Sequence, residues 1–185
     1  SVSFSWESGT TGSIKSTSAV PTRSELENAT YIGFEGIEGI KGPVRLVNGA
    51  WEAPVSTERG GVRSVINLLG DFIVTGDIDG DGTEEAVAFL NVNTAGTGQF
   101  LYIAVVSRVN GTARNIATKF IGDRVQIRGG RINNRSIIID VVRAGPSDPA
   151  CCPSEIATIG WKREPGSVLN PIISTEKPGR LSLQT

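Results

Sequence analysis

The chain has 185 residues, 38% of them hydrophobic and 20% charged, a composition that fits one globular domain. A domain of this length can bury roughly 70% of its unfolded surface, so its stability does not call for a metal or a disulfide staple. The formal net charge of −1, with no run of Lys or Arg, argues against the concentrated basic face that nucleic acid or an anionic membrane needs, and the absence of histidine excludes Ser-His-Asp and Cys-His catalysis and His-ligated zinc.

The chain opens with SVSFSWES, where Val2, Phe4 and Trp6 alternate with Ser1, Ser3 and Ser5. Alternation with period two predicts a strand with one apolar face. Such a strand suits an ordinary sheet, or a donor that pairs with another subunit. The second reading makes Val2, Phe4 and Trp6 the candidate self-association residues. Residues 9–22, GTTGSIKSTSAVPT, are polar and rich in breakers, and read as a linker. A short helix is expected near 23–29, with Thr22 as its cap and Glu25 completing a capping box.

Beyond the helix nearly every patterned segment reads as strand. These are ATYIGF (29–34), PVRLVNGAWEA (43–53), VRSVINLLG (62–70), DFIVTGDI (71–78) and EEAVAFLNV (84–92). The run 98–122, DRVQIRGG (123–130), RSIIIDVV (135–142) and EIATIGWKRE (155–164) continue the series. Asn48-Gly49 and Asn110-Gly111 signal tight hairpins, because both central positions of such turns take positive φ. FLYIAVV and SIIID are apolar on both faces and belong at the centre of a sheet. Strands at this spacing, joined by short polar turns, predict an all-β fold: an antiparallel sandwich or barrel with one short helix. No internal repeat accompanies them, which argues against a propeller. The expected organisation is an N-terminal strand and linker over 1–24, a β-domain over 25–164 and a C-terminal extension over 165–185.

The most patterned stretch is GDIDGDGTEE, residues 76–85. Carboxylates at Asp77, Asp79 and Asp81 converge if the chain curls at Gly82. The Thr83 carbonyl and the Glu85 carboxylate then complete an oxygen cage for a hard cation such as Ca²⁺. The twelfth position of a helical calcium loop falls on Ala88, where a bidentate Glu is required, so a helix-loop-helix hand is excluded. A strand-loop-strand site ending at Glu85 fits the flanking β pattern. The alternative is a solvated Asp-Gly-Asp-Gly turn with no ion.

The only two cysteines, Cys151 and Cys152, lie side by side in GPSDPACCPSE, residues 145–155. Adjacency rules out a CxxC redox motif, and two thiolates without histidine make a poor zinc site. They are either a structural vicinal disulfide or a pair of small, partly buried thiols. Ser174 and Lys177 match SxxK without any partner motif. Asn28, Asn110 and Asn134 each begin an N-x-S/T sequon, which has meaning only in a glycosylating secretory pathway. Trp6, Trp51, Trp161, Tyr31 and Tyr102 offer either a sugar-binding face or ordinary core packing. No apolar run approaches the roughly 20 residues of a membrane helix. Methionine is absent, so Ser1 reads as a processed or trimmed N-terminus.

Taken together, LENATY, GDIDGDGTEEAVAFL, FLYIAVV, IGDRVQI, IIIDVV and GPSDPACCPS resemble a group of uncharacterised bacterial envelope proteins, many of them lipoprotein-like. The similarity spans about residues 25–162, and DPACCPS is its most specific motif. The aspartate loop alone also resembles the calcium loops of FG-GAP-type proteins. The envelope resemblance implies export, an all-β or β-rich domain and no established activity, and it supplies no catalytic residue to carry over. This chain departs from it in lacking a lipid-attachment cysteine near Ser1.

The expected function is therefore non-enzymatic: an extracytoplasmic β-domain with a structural or interaction role, self-associating into an oligomer or fibre through the SVSFSW strand. The alternative is a Ca²⁺-dependent module that binds a carbohydrate or a peptide.

Overall fold

The computed structural model describes residues 19–55, 60–61, 63–94, 96, 98–164 and 168–176. Val2, Phe4, Trp6 and Lys177 fall outside them. The expected helix is α1, Arg23–Glu27. Thr22 Oγ1 accepts from Glu25 N, and Glu25 Oε2 accepts from Thr22 N at 2.8 Å, which completes the capping box. Arg108 clamps the same carboxylate through Nη1 at 2.8 Å and Nη2 at 2.5 Å.

Every other regular element among the described residues is strand, as the period-two patterning predicts. β1 (Thr30–Tyr31) and β2 (Val44–Arg45) form a small antiparallel pair. A five-stranded sheet follows, built from β3 (Ala50–Glu52), β4 (Val65–Gly76), β5 (Glu85–Asn93), β6 (Phe100–Val109) and β7 (Thr112–Asp123) in that order. A four-stranded sheet has the order β11-β10-β9-β8, from β8 (Gln126–Asn133), β9 (Ser136–Arg143), β10 (Glu155–Glu164) and β11 (Val168–Glu176). All ladders in both sheets are antiparallel. FLYIAVV lies in β6 and SIIID in β9, both interior strands. The tract expected as a C-terminal extension contains β11, so the sheet continues beyond residue 164.

The arrangement is a sandwich with a third layer. Successive side chains of a strand point to opposite faces. In β5, Ala86, Ala88, Leu90 and Val92 face a core completed by Leu26, Tyr31, Phe34 and Leu46 of the helix and β1–β2 region. The alternate residues Val87 and Phe89 face Ile137, Ile139, Val141 and Trp161 of the four-stranded sheet. Both faces of β5 are covered, which explains its continuous apolar sequence.

Two sequence expectations merge in β4. VRSVINLLG and DFIVTGDI belong to one strand whose pairing with β5 is interrupted between Leu68 and Ile73. Past that irregularity β4 packs against β8 of the other sheet. Glycine allows the approach: a Cβ on Gly76 would meet Ile132 Cβ at 2.7 Å, and one on Gly130 would meet Val74 Cγ2 at 2.7 Å. The Asn48-Gly49 and Asn110-Gly111 turns take positive φ at both positions. The β8–β9 turn does the same with Asn134 (φ 47°) and Arg135 (φ 62°), without a glycine.

Candidate functional site

The acidic loop joins β4 to β5 at the edge where the two sheets meet. Its geometry begins with backbone donors captured by carboxylates, the local chemistry of Asx turns. Asp77 Oδ1 accepts from Gly80 N at 2.5 Å and Oδ2 from Gly82 N at 3.2 Å. Gly80 and Gly82, with φ of 83° and 85°, allow the chain to curl back on Asp77. Asp79 Oδ1 accepts from Asp81 N at 3.1 Å. Asp81 Oδ1 accepts from Thr83 N at 2.7 Å and Thr83 Oγ1 at 2.5 Å.

Glu85 opens β5 and is fully buried. Its Oε2 accepts from Ile78 N at 2.8 Å, and its Oε1 accepts from Ser107 Oγ of β6 at 3.3 Å. Burial raises its pKa above the ordinary carboxylate value. The Ile78 N–H opposes that shift, and the charges of Asp79 and Asp81 reinforce it. Asp81 behaves oppositely: its bonds from the Thr83 hydroxyl and amide hold its pKa below the ordinary value.

Carboxylate oxygens of Asp77, Asp79 and Glu85 lie within 4.8 Å of one another, a grouping that can hold a metal ion. Of the acids expected in the cage, the structure brings these three together. Asp81 is outside this group, and its Oδ1 is taken by the Thr83 amide and hydroxyl. The sequence pattern also gave no sign of Arg163, whose Nη1 reaches Asp79 Oδ2 at 3.2 Å from β10. Nor did it indicate Arg135, whose guanidinium lies over Gly80, where a Cβ would collide with it. Arg163 lies on β10 and Arg135 in the turn between β8 and β9, so the loop meets the four-stranded sheet at both, with an ion pair at Asp79. An oxygen cluster of this kind is suited to holding a hard cation.

The other expected residues separate clearly. Cys151 and Cys152 form a vicinal pair, joined to each other and exposed. Tyr31 is fully buried and donates its hydroxyl to Leu26 O at 2.8 Å, and Trp161 lies in the core between the sheets. Trp51 packs against the other core. These three are packing residues. Tyr102 instead lines an open apolar cleft of about 320 Å³ with Ile37, Phe100 and Phe120, the last 47% exposed. The Asn28 side chain is engaged with Ser24 O and Asn48 N, whereas Asn110 and Asn134 are exposed. Among the described residues no helix is long and apolar enough to cross a membrane.

Compared with protein-family models, curated proteins and solved structures, the chain matches none.

Proposed function

We propose that the chain is a non-enzymatic, extracytoplasmic β-domain with a structural or interaction role, and that its Asp77–Glu85 loop takes up Ca²⁺, which braces the turn between β4 and β5. The grouping of Asp77, Asp79 and Glu85 within one turn carries this reading. The resemblance to envelope proteins supports export. The test is a melting curve of the whole chain in millimolar Ca²⁺ and in EGTA. A ligand bound only to the native state at about 100 times its Kd adds about 2.7 kcal/mol. For a protein of this size that is a rise of about 5–10 °C, absent in Asp77→Asn. Equal melting temperatures in both buffers would discard calcium uptake.

Self-association through Val2, Phe4 and Trp6 is the interaction we assign to this domain. The described chain begins at Ala19, whose carbonyl accepts from Arg108 Nε at 2.7 Å beside a groove of about 840 Å³ between α1, β2 and β7. Deleting residues 1–8 should reduce the assembly size on a sizing column; an unchanged profile overturns this assignment. The second reading, a module for a carbohydrate or peptide, is favoured by the Phe100, Tyr102 and Phe120 cleft, since aromatic rings offer large apolar faces to such ligands. Titration with soluble glycans, followed by tyrosine fluorescence, separates it from the first.

A further inference from the structure

Cys151 and Cys152 are joined across a sequence separation of 1, and both are exposed. The stabilisation that a disulfide gives by restricting the unfolded chain shrinks with the loop it closes, and here there is almost none. Other groups hold the segment in place. Asp148 Oδ2 accepts from Gly145 N at 2.9 Å and from Ser154 N at 2.7 Å, while Oδ1 accepts from Ser154 Oγ at 2.8 Å. Cys152 N donates to Pro149 O at 3.0 Å. Pro146, Pro149 and Pro153 restrict φ along the same stretch. Both ends of the loop are thus pinned to one carboxylate through contacts that do not involve the sulfurs. Cys151 and Pro153 also form one wall of a cavity of about 420 Å³ shared with Gln99, Leu101 and Gln126.

We propose that Cys151–Cys152 is a thiol–disulfide exchange site for a dithiol reductant, not a staple of the fold. Exposed disulfides are open to thiolate attack and belong to the labile class. One thiolate of the reductant attacks a cysteine sulfur, and the Sγ–Sγ bond breaks as a mixed disulfide forms. The reductant's second sulfur then displaces the protein sulfur, and the reductant leaves as its own disulfide. Two electrons and two protons end on the protein as the Cys151 and Cys152 thiols. Exchange alters the cavity wall at Cys151 while Asp148 retains the loop.

The full chain in native buffer is treated with dithiothreitol, alkylated with iodoacetamide and weighed, and the reduced chain is melted beside the oxidised one. Both cysteines should be alkylated without denaturant. The reduced chain and the Cys151→Ser/Cys152→Ser variant should melt within about 4 °C of the oxidised protein. Alkylation that occurs only in denaturant, or a larger loss in the reduced chain, overturns the proposal and makes the bond structural. This outcome is independent of calcium uptake and of self-association.

Discussion

The proposed calcium uptake turns on Asp79, because its Oδ2 already holds Arg163 Nη1. A guanidinium beside a cation site repels the cation and competes for its ligand. Arg163 gains little in return: its Nε is buried without a hydrogen-bond partner, an uncompensated donor. Partly exposed ion pairs of this kind contribute about 0.2–1 kcal/mol. Arg163→Ala should therefore bind Ca²⁺ about two- to fivefold more tightly than the parent, with a loss of about 1 kcal/mol or less in EGTA. Calorimetric titration measures the first and urea unfolding the second. Weaker binding in the variant would mean that Arg163 orients Asp79 for the ion and does not compete with it.

At the scale of elements, α1 rests on one carboxylate. Glu25 closes the capping box and receives the Arg108 fork, and that fork, followed by the Thr22 N–H, lowers its pKa to about 2. An acid whose folded pKa lies below its unfolded value near 4.5 contributes stability above the unfolded value. That contribution is lost as pH falls from about 4.5 toward 2. Glu25→Gln keeps a capping side chain but loses the charge, and should be less stable by about 1 kcal/mol at pH 7. Its deficit should shrink as pH falls through that window, as urea midpoints at pH 7, 4 and 3 would reveal. A deficit constant with pH would separate Arg108 from the effect. The helix is legible in the sequence because its cap lies within a few residues of itself, and the Asn-Gly turns are legible for the same reason. The Asn134–Arg135 turn is not, since Arg carries no local preference for positive φ and the ladder between β8 and β9 imposes it. The unity of β4 is hidden as well. Gly70-Asp71 looks like a break, and only the flanking pairing to β5 keeps the strand continuous. In the acidic loop the alternation of Asp77 and Asp79 is local, but Ser107 and Arg163 lie 22 and 84 positions from their acids and reach them only through the sheets.

At the scale of the whole molecule, β5 and β6 join two cores that would otherwise be separate. Leu90 and Ala104 serve the layer of α1 and β1–β2, while Phe89 and Ile103, their sequence neighbours, serve the layer of β9 and β10. A strand cannot release one face and keep its pleat on the other, so the layers are expected to unfold as one cooperative unit. Phe89 is fully buried and packs edge-on against Phe72 at 5.2 Å between ring centroids. Phe89→Ala removes that ring from the core between the sheets and should destabilise by about 3–5 kcal/mol. If the unit is cooperative, the slowest-exchanging amides of Tyr31 and Leu46, on the far side of β5, must lose protection by the same amount as those of Ile139 and Val141. Native-state hydrogen exchange compares the two directly. Protection lost around Ile139 but retained around Tyr31 would mean that the third layer folds on its own and merely rests on the sandwich.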